Sequence, residues 1–315
     1  MPTELRYAEP TPADPNLFVV DAEMLGMKGY GGLYILRAPK PALVETGFSH
    51  TTPKVLKALE ELGIAPDDVA YIAVTHVHMD HAGGAGFLAE RCPNARVICH
   101  RVGAPHLINP EKLVRSVQRA VGPLFPYYGE MKPIPEERLV IVQGGARFEL
   151  GDGYALEVID APGHAPHHAC FYEPQTRGLF TGDAVGIYRR EIGFIMTTPP
   201  PSFHFEESLA TLNRLRELKP EWLYFTHYGA HPEPSTLLDE YERRLRAWVG
   251  RIEAKWHELG DENEEALYTH FLEEESQSPL ARLYEPHALQ AEVRMNVTGV
   301  LLYLRRRRES GTDRN

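Results

Sequence analysis

Short apolar runs separated by glycine and proline fill the first two thirds of the chain, and long amphipathic stripes fill the last third. Leu17-Phe18-Val19-Val20, Leu33-Tyr34-Ile35-Leu36 and Leu43-Val44 read as strands of a meander, each short, apolar and bounded by turn-forming residues. A helix is predicted over 52–62, where Val55, Leu56, Leu59 and Leu62 keep a helical period and Gly63 can end it. Tyr71-Ile72-Ala73-Val74 reads as the next strand, 85–91 as a helix and 95–99 as another strand, which makes a β-helix-β unit. A helix over 110–121 then leads into Gly122-Pro123-Leu124-Phe125-Pro126-Tyr127-Tyr128-Gly129. This stiff aromatic segment either covers a site or packs down as a surface connection. Strands resume at 139–142 and at 154–159, the second partly alternating as a half-buried strand does.

After Pro234 the period changes. Leu238, Tyr241, Leu245, Trp248, Ile252 and Trp256 recur at helical spacing between Pro234 and Gly260. Asp261 is placed to cap a second helix bearing Leu267 and Phe271. Leu289, Val293, Val297, Val300, Leu301 and Leu304 mark a third, whose end at Arg305 to Arg308 suits the negative pole of a helix. The expected organisation is therefore one domain over 1–234 and a C-terminal helical region over 235–315. The apolar stripes imply that this region docks on the rest of the chain or self-associates, as in a homo-oligomer.

Composition narrows the function classes. The 315 residues are 43% hydrophobic, without a run of about twenty apolar residues, so a globular protein with no membrane span is expected. The first residues lack the basic-then-apolar order of a secretory signal. Cys92, Cys99 and Cys170 show no paired spacing, and a cytoplasmic location fits both features. A formal charge of −11 opposes a phosphate backbone, so a small-molecule substrate is expected and a nucleic-acid partner is not.

The candidate chemistry is concentrated in Thr75-His76-Val77-His78-Met79-Asp80-His81-Ala82-Gly83-Gly84, where His76, His78, Asp80 and His81 follow a short apolar run. Three histidines and an aspartate on one turn would be hard to satisfy in a dry core, which points to a metal site. The same placement recurs at His164 after 154–159, at Asp183 after Gly178-Leu179-Phe180-Thr181-Gly182, and at His227 after Trp222-Leu223-Tyr224-Phe225-Thr226. One such residue alone would be an ordinary turn residue or cap. The loop 186–205 should border the substrate by position, with Tyr188 or the pair Arg189 and Arg190 facing it, although most charged loops simply face solvent.

The order His-x-His-x-Asp-His, then His, Asp and His, resembles the metallo-β-lactamase superfamily over roughly residues 15 to 232. That resemblance implies an α/β fold, an αββα sandwich of two mixed β-sheets flanked by helices, with metals at one sheet edge. It implies one metal on His76, His78 and His164, a second on Asp80, His81 and His227, and Asp183 bridging them. Two divalent cations are expected, with Zn²⁺ the best match to imidazole and carboxylate ligands and Fe or Mn accepting similar sets. The implied reaction is hydrolysis of a thioester, lactone or related carbonyl compound by a metal-bound hydroxide, with Asp80 as the catalytic proton shuttle.

His168 matches a family histidine that supports the site, His167 stands where relatives have Gly, and Glu45-Thr46-Gly47 stands for the usual Asp-Thr-Gly. A helical region after the metal domain also resembles glyoxalase II, where it helps bind a glutathione thioester. A competing resemblance is to persulfide dioxygenases, oxidoreductases with a single iron on the equivalents of His76, His164 and Asp183. Flavodiiron proteins differ in carrying Glu where His78 stands.

Overall fold

In a computed structural model, which describes residues 6–311, the chain begins as an antiparallel meander and continues as a parallel sheet. The meander is β1 (Glu9–Pro10), β2 (Leu17–Asp21), β3 (Gly32–Leu36) and β4 (Ala42–Val44). Added in parallel are β5 (Tyr71–Ala73), β6 (Arg96–His100) and β7 (Leu139–Val142), so that the seven strands lie in chain order. Parallel neighbours need long crossovers. These are α1 (Thr52–Glu61) before β5, α2 (Met79–Ala82) and α3 (Ala85–Arg91) before β6, and α4 (Ala104–Ile108) and α5 (Glu111–Val121) before β7.

The second sheet starts with four antiparallel strands, β8 (Arg147–Gly151), β9 (Tyr154–Asp160), β10 (Ala169–Glu173) and β11 (Gly178–Gly182). A separate hairpin follows, β12 (Ile187–Arg189) and β13 (Phe194–Met196). Thus part of the span expected to be loop is paired strand. Helix α6 (Phe205–Glu217) then carries the chain to β14 (Trp222–Phe225), which runs parallel to β11, and β15 (Gly229–His231) closes that edge.

Alternation along the strands produces the layers. Leu17 and Val19 of β2, with Tyr34 and Leu36 of β3, meet Leu156, Phe171, Phe180 and Tyr224 in a core between the two sheets. Their neighbours Phe18, Val20, Leu33 and Ile35 belong to a different core, with Val55 and Leu59 of α1 and Leu88 of α3. The result is the expected αββα sandwich. The sheets are also joined by hydrogen bonds beside His227, where Tyr34 Oη donates to the Phe225 carbonyl at 2.6 Å and Gly32 N–H to the Thr226 carbonyl at 2.5 Å.

Three helices complete the chain, α7 (Pro234–Leu259), α8 (Glu264–Ser276) and α9 (Pro286–Glu309). The stripe of α7 is buried, and the helix packs on α6 and β13. Helix α9 contacts α5, and its Gly299 is pressed so close to the Pro199 carbonyl that any side chain there would collide with it. The helical region therefore docks on the sandwich. Asp261 does not cap α8, which begins after Asn263; it pairs with Arg308 at 2.8 Å, where the last-turn cations of α9 attract it. Among the described residues, no helix is long and apolar enough to cross a membrane.

Candidate metal centre

Four strand ends meet at one point. His76 and His78 follow β5, and Asp80 and His81 lie on the single turn of α2, which opens immediately after His78. His164 follows β9, Asp183 follows β11 and His227 follows β14. The first strand belongs to one sheet and the other three to its partner, so the site spans the edge of the sandwich. Gly182 has a positive φ of 48°, and a Cβ there would meet Thr75 Oγ1 at 2.5 Å and His168 Nε2 at 2.6 Å. Only glycine lets β11 turn Asp183 inward at that spot.

All seven expected ligands are brought together, in two faces. His78 Nδ1 lies 2.9 Å from His76 Nε2 and 3.0 Å from His164 Nε2, which makes a three-nitrogen face. Asp80 Oδ2 lies 3.5 Å from His81 Nε2 and 3.6 Å from His227 Nε2. Asp183 stands between them, with Oδ1 at 3.3 Å from His81 Nε2 and 3.5 Å from His227 Nε2, and Oδ2 at 3.5 Å from His164 Nε2. Such spacings suit atoms sharing one cation at about 2.0–2.2 Å.

The electrostatics fit that use. Burial and the neighbouring imidazoles hold His76 and His78 well below the usual imidazole range, and burial also lowers His164 and His227. They therefore present lone pairs. Burial also pushes His81 down, but Asp183, Asp80 and Glu45 outweigh it and leave His81 well above that range. Asp183 is the counterpart: burial raises its carboxyl, while His81 and His164 outweigh this and hold it well below the usual carboxylate range. A divalent cation would replace the proton on His81. His81 Nε2, His227 Nε2 and Asp183 Oδ1 are buried and meet one another and Asp80 only in ion-pair approaches of 3.3–3.6 Å without a well-formed hydrogen bond, an arrangement that a bound cation would relieve.

The family model of the metallo-beta-lactamase superfamily matches residues 38–227, which include every one of these side chains. The chain belongs to that superfamily. It is 33% identical over 167 residues to the metallo-beta-lactamase fold-containing protein ST1585 of Sulfurisphaera tokodaii, covering 52% of this chain and 62% of that protein. The ST1585 crystal structure superposes with a TM-score of 0.67 at 24% identity, over 91% of this chain and 98% of that one, a likeness of fold. An N-acyl homoserine lactonase of Bacillus thuringiensis is 27% identical over 195 residues, 60% of this chain and 67% of the enzyme. A diflavin flavoprotein A 1 of Synechocystis is 30% identical over 156 residues, 49% of this chain but 23% of that protein. In sequence the match thus spans less than two thirds of the length of ST1585 and under a quarter of the flavoprotein.

Within this superfamily fold, Glu45 organises the ligands despite being one carbon longer than the family aspartate. Its Oε1 accepts from His81 Nδ1 at 3.0 Å, Thr75 Oγ1 at 2.5 Å and Thr226 Oγ1 at 3.1 Å. Thr75 Oγ1 in turn accepts from His76 Nδ1 at 3.0 Å. One buried carboxylate therefore sets the tautomer of His81 directly and of His76 through Thr75, leaving both Nε2 lone pairs for the centre. His164 is oriented separately, its Nδ1 donating to the Thr198 carbonyl at 2.9 Å. Glu45→Gln should weaken metal affinity by about 10–100-fold. Competition with a chromophoric chelator measures this, and an unchanged affinity would leave Glu45 without the orienting role.

His168 Nε2 accepts the Asp183 backbone N–H at 3.0 Å, and its ring stacks 4.7 Å from that of His76. His167 is buried beside His78, with ring centres 5.5 Å apart. Tyr188 makes its ring contacts with Phe225 and His231. Arg189 is buried, its guanidinium 4.7 Å over the Tyr30 ring and 5.3 Å over that of Tyr284, where a solvent-facing loop is the common outcome. Nothing local in sequence signalled this, because Tyr30 and Tyr284 come from opposite ends of the chain. In the aromatic segment, Tyr128 packs on Phe48 with ring centres 4.9 Å apart, and burial together with the Asp80 charge pushes its hydroxyl up. Tyr127 is exposed.

Proposed function

We propose that the chain is a binuclear metal-dependent hydrolase acting on a lactone, thioester or related carbonyl compound. The observation that carries this reading is the placement of Asp183, whose two oxygens address different nitrogen faces. Two divalent cations held there would supply Lewis acidity and a solvent nucleophile of lowered pKa. The remaining work falls to the side chains. Glu45, Thr75 and the Thr198 carbonyl hold the imidazoles in their ligating tautomers. Asp80 has a side chain 26% exposed, against 5% for Asp183, so it is the carboxylate that can reach solvent and substrate. It takes a proton from the attacking water and returns it to the leaving oxygen or sulfur.

Similarity to an N-acyl homoserine lactonase supports a carbonyl substrate. A mononuclear iron oxidoreductase using His76, His164 and Asp183 would leave His81 Nε2 and His227 Nε2 with no more than their 3.3–3.6 Å approaches to Asp80 and Asp183, which lack well-formed hydrogen bonds and where a second cation fits, and this favours the binuclear reading. The test is a screen of esters, thioesters, lactones and phosphoesters with metal content measured on the same sample. Two metals per chain and chelator-sensitive hydrolysis of a carbonyl substrate are expected. One iron per chain with oxygen consumption would overturn the reading.

A further inference from the structure

Among the imidazoles of the metal centre, His76, His81 and His164 each have the nitrogen that points away from it engaged, by Thr75, Glu45 and the Thr198 carbonyl. A ligating histidine generally needs such a partner to fix its tautomer and the rotation of its ring. His78 faces the centre through Nδ1 and is partly exposed, so water can serve the rest of its ring. His227 has neither: it is buried, and its Nδ1 makes no hydrogen bond. What its ring meets instead is Tyr30, with centres 5.2 Å apart and planes tilted by 36°, and His81, with centres 5.3 Å apart and planes at 82°.

Tyr30 is itself held on several sides. Its loop between β2 and β3 is closed by the Gly29 N–H donating to Asp21 Oδ2 at 2.9 Å and the Ala22 N–H to the Gly31 carbonyl at 2.7 Å. Tyr284 stands edge-on to its ring, with centres 6.2 Å apart, and donates its hydroxyl to that of Tyr30 at 3.3 Å. The Arg189 guanidinium lies 4.7 Å over the Tyr30 ring and 5.3 Å over that of Tyr284. Arg189 is buried, yet its Nε and Nη1 make no well-formed hydrogen bond and its Nη2 reaches Glu191 only at 3.5 Å. A buried cation so poorly paired is costly, and an apolar side chain of the same volume would pack there at lower cost. What the guanidinium adds is attraction to the two aromatic faces.

We propose that Tyr30, clamped by Arg189 and Tyr284, is a positioning residue for the second metal, fixing the His227 ring by stacking where the other buried ligand histidines are fixed by hydrogen bonds. The proposal rests on the binuclear reading above and adds to it the residues on which the Asp80, His81 and His227 face depends. Loss of the Tyr30 ring should therefore weaken one metal and spare the other.

The test uses cobalt(II), titrated into the whole chain after dialysis against a chelator and followed by calorimetry and by the visible absorption of the bound ion. His227→Ala identifies the binding step that belongs to the second face. Tyr30→Leu should weaken that step by about 10–100-fold, the usual worth of a partner that orients a ligand, and leave the other step unchanged. Tyr30→Phe keeps the ring and should bind as the wild type does. Removing a buried positive charge would by itself tighten both cations, so in Arg189→Met a second step weakened by about threefold, the worth of a modest cation–π contact, reads the lost support of the ring. Arg189→Met decides alone if Tyr30→Leu does not fold by circular dichroism. Equal weakening of both steps in Tyr30→Leu, a second step as strong as in the wild type, or a tighter second step in Arg189→Met would overturn the proposal and leave the binuclear reading standing. A single cobalt in the wild type would overturn both.

Discussion

Asp80→Asn is expected to slow turnover by about 10²–10⁴-fold, the usual worth of general acid–base help, with much less effect on metal content. Asp80 Oδ2 faces His81 and His227, and the carboxylate is the more exposed of the two in the cluster. An asparagine oxygen can still occupy the Oδ2 position. It cannot accept a proton and return it. The loss should therefore shrink for substrates whose leaving groups depart without protonation. The comparison needs a matched pair of esters or thioesters of different leaving-group pKa, with metals counted in the same samples. An equal loss on both, with both metals present, would mean that Asp80 orients the nucleophile and carries no proton.

Deleting the chain after Pro234 is expected to abolish soluble folded protein. Leu238, Tyr241, Leu245, Trp248, Ile252 and Trp256 of α7 are each less than a tenth exposed. Burying one large apolar side chain contributes about 1.5–3 kcal/mol, so the stripe as a whole rivals the ~5–15 kcal/mol net stability of a domain. The same deletion removes Gly299 from its contact with the Pro199 carbonyl, and the segment around Pro199 adjoins Thr198, which orients His164. Size-exclusion chromatography and circular dichroism of the truncated chain provide the check. A monomeric truncation with native melting behaviour would show that the helices add little to the sandwich.

The seven candidate ligands were legible because each follows a short apolar run, and local pattern is enough to find a strand end. The helical stripes were legible for the same reason, since six apolar positions at a constant period survive errors at either boundary. Contacts between distant segments were not. Glu45 reaches His81 across 36 positions and Thr226 across 181, so its role exists only once both sheets have closed. The hairpin strands β12 and β13 are three residues each, too short for a period to register around Arg190, Glu191 and Gly193 of the turn between them. Asp261 fits a capping pattern locally and is drawn away by Arg308, 47 residues on. Arg189 looks like a surface cation until Tyr30 and Tyr284 fold over it.

The binuclear assignment is tested most directly by the metal content of His227→Ala. His227 is a suitable position because neither of its ring nitrogens has a hydrogen-bond partner, so its loss disturbs little except the second metal face. The three-nitrogen face of His76, His78 and His164 stays intact. Elemental analysis after equilibrium dialysis should give two metals per wild-type chain and a value near one for the variant, with a native circular dichroism spectrum. Two metals of wild-type affinity in His227→Ala, or a single metal in the wild type, would contradict the account.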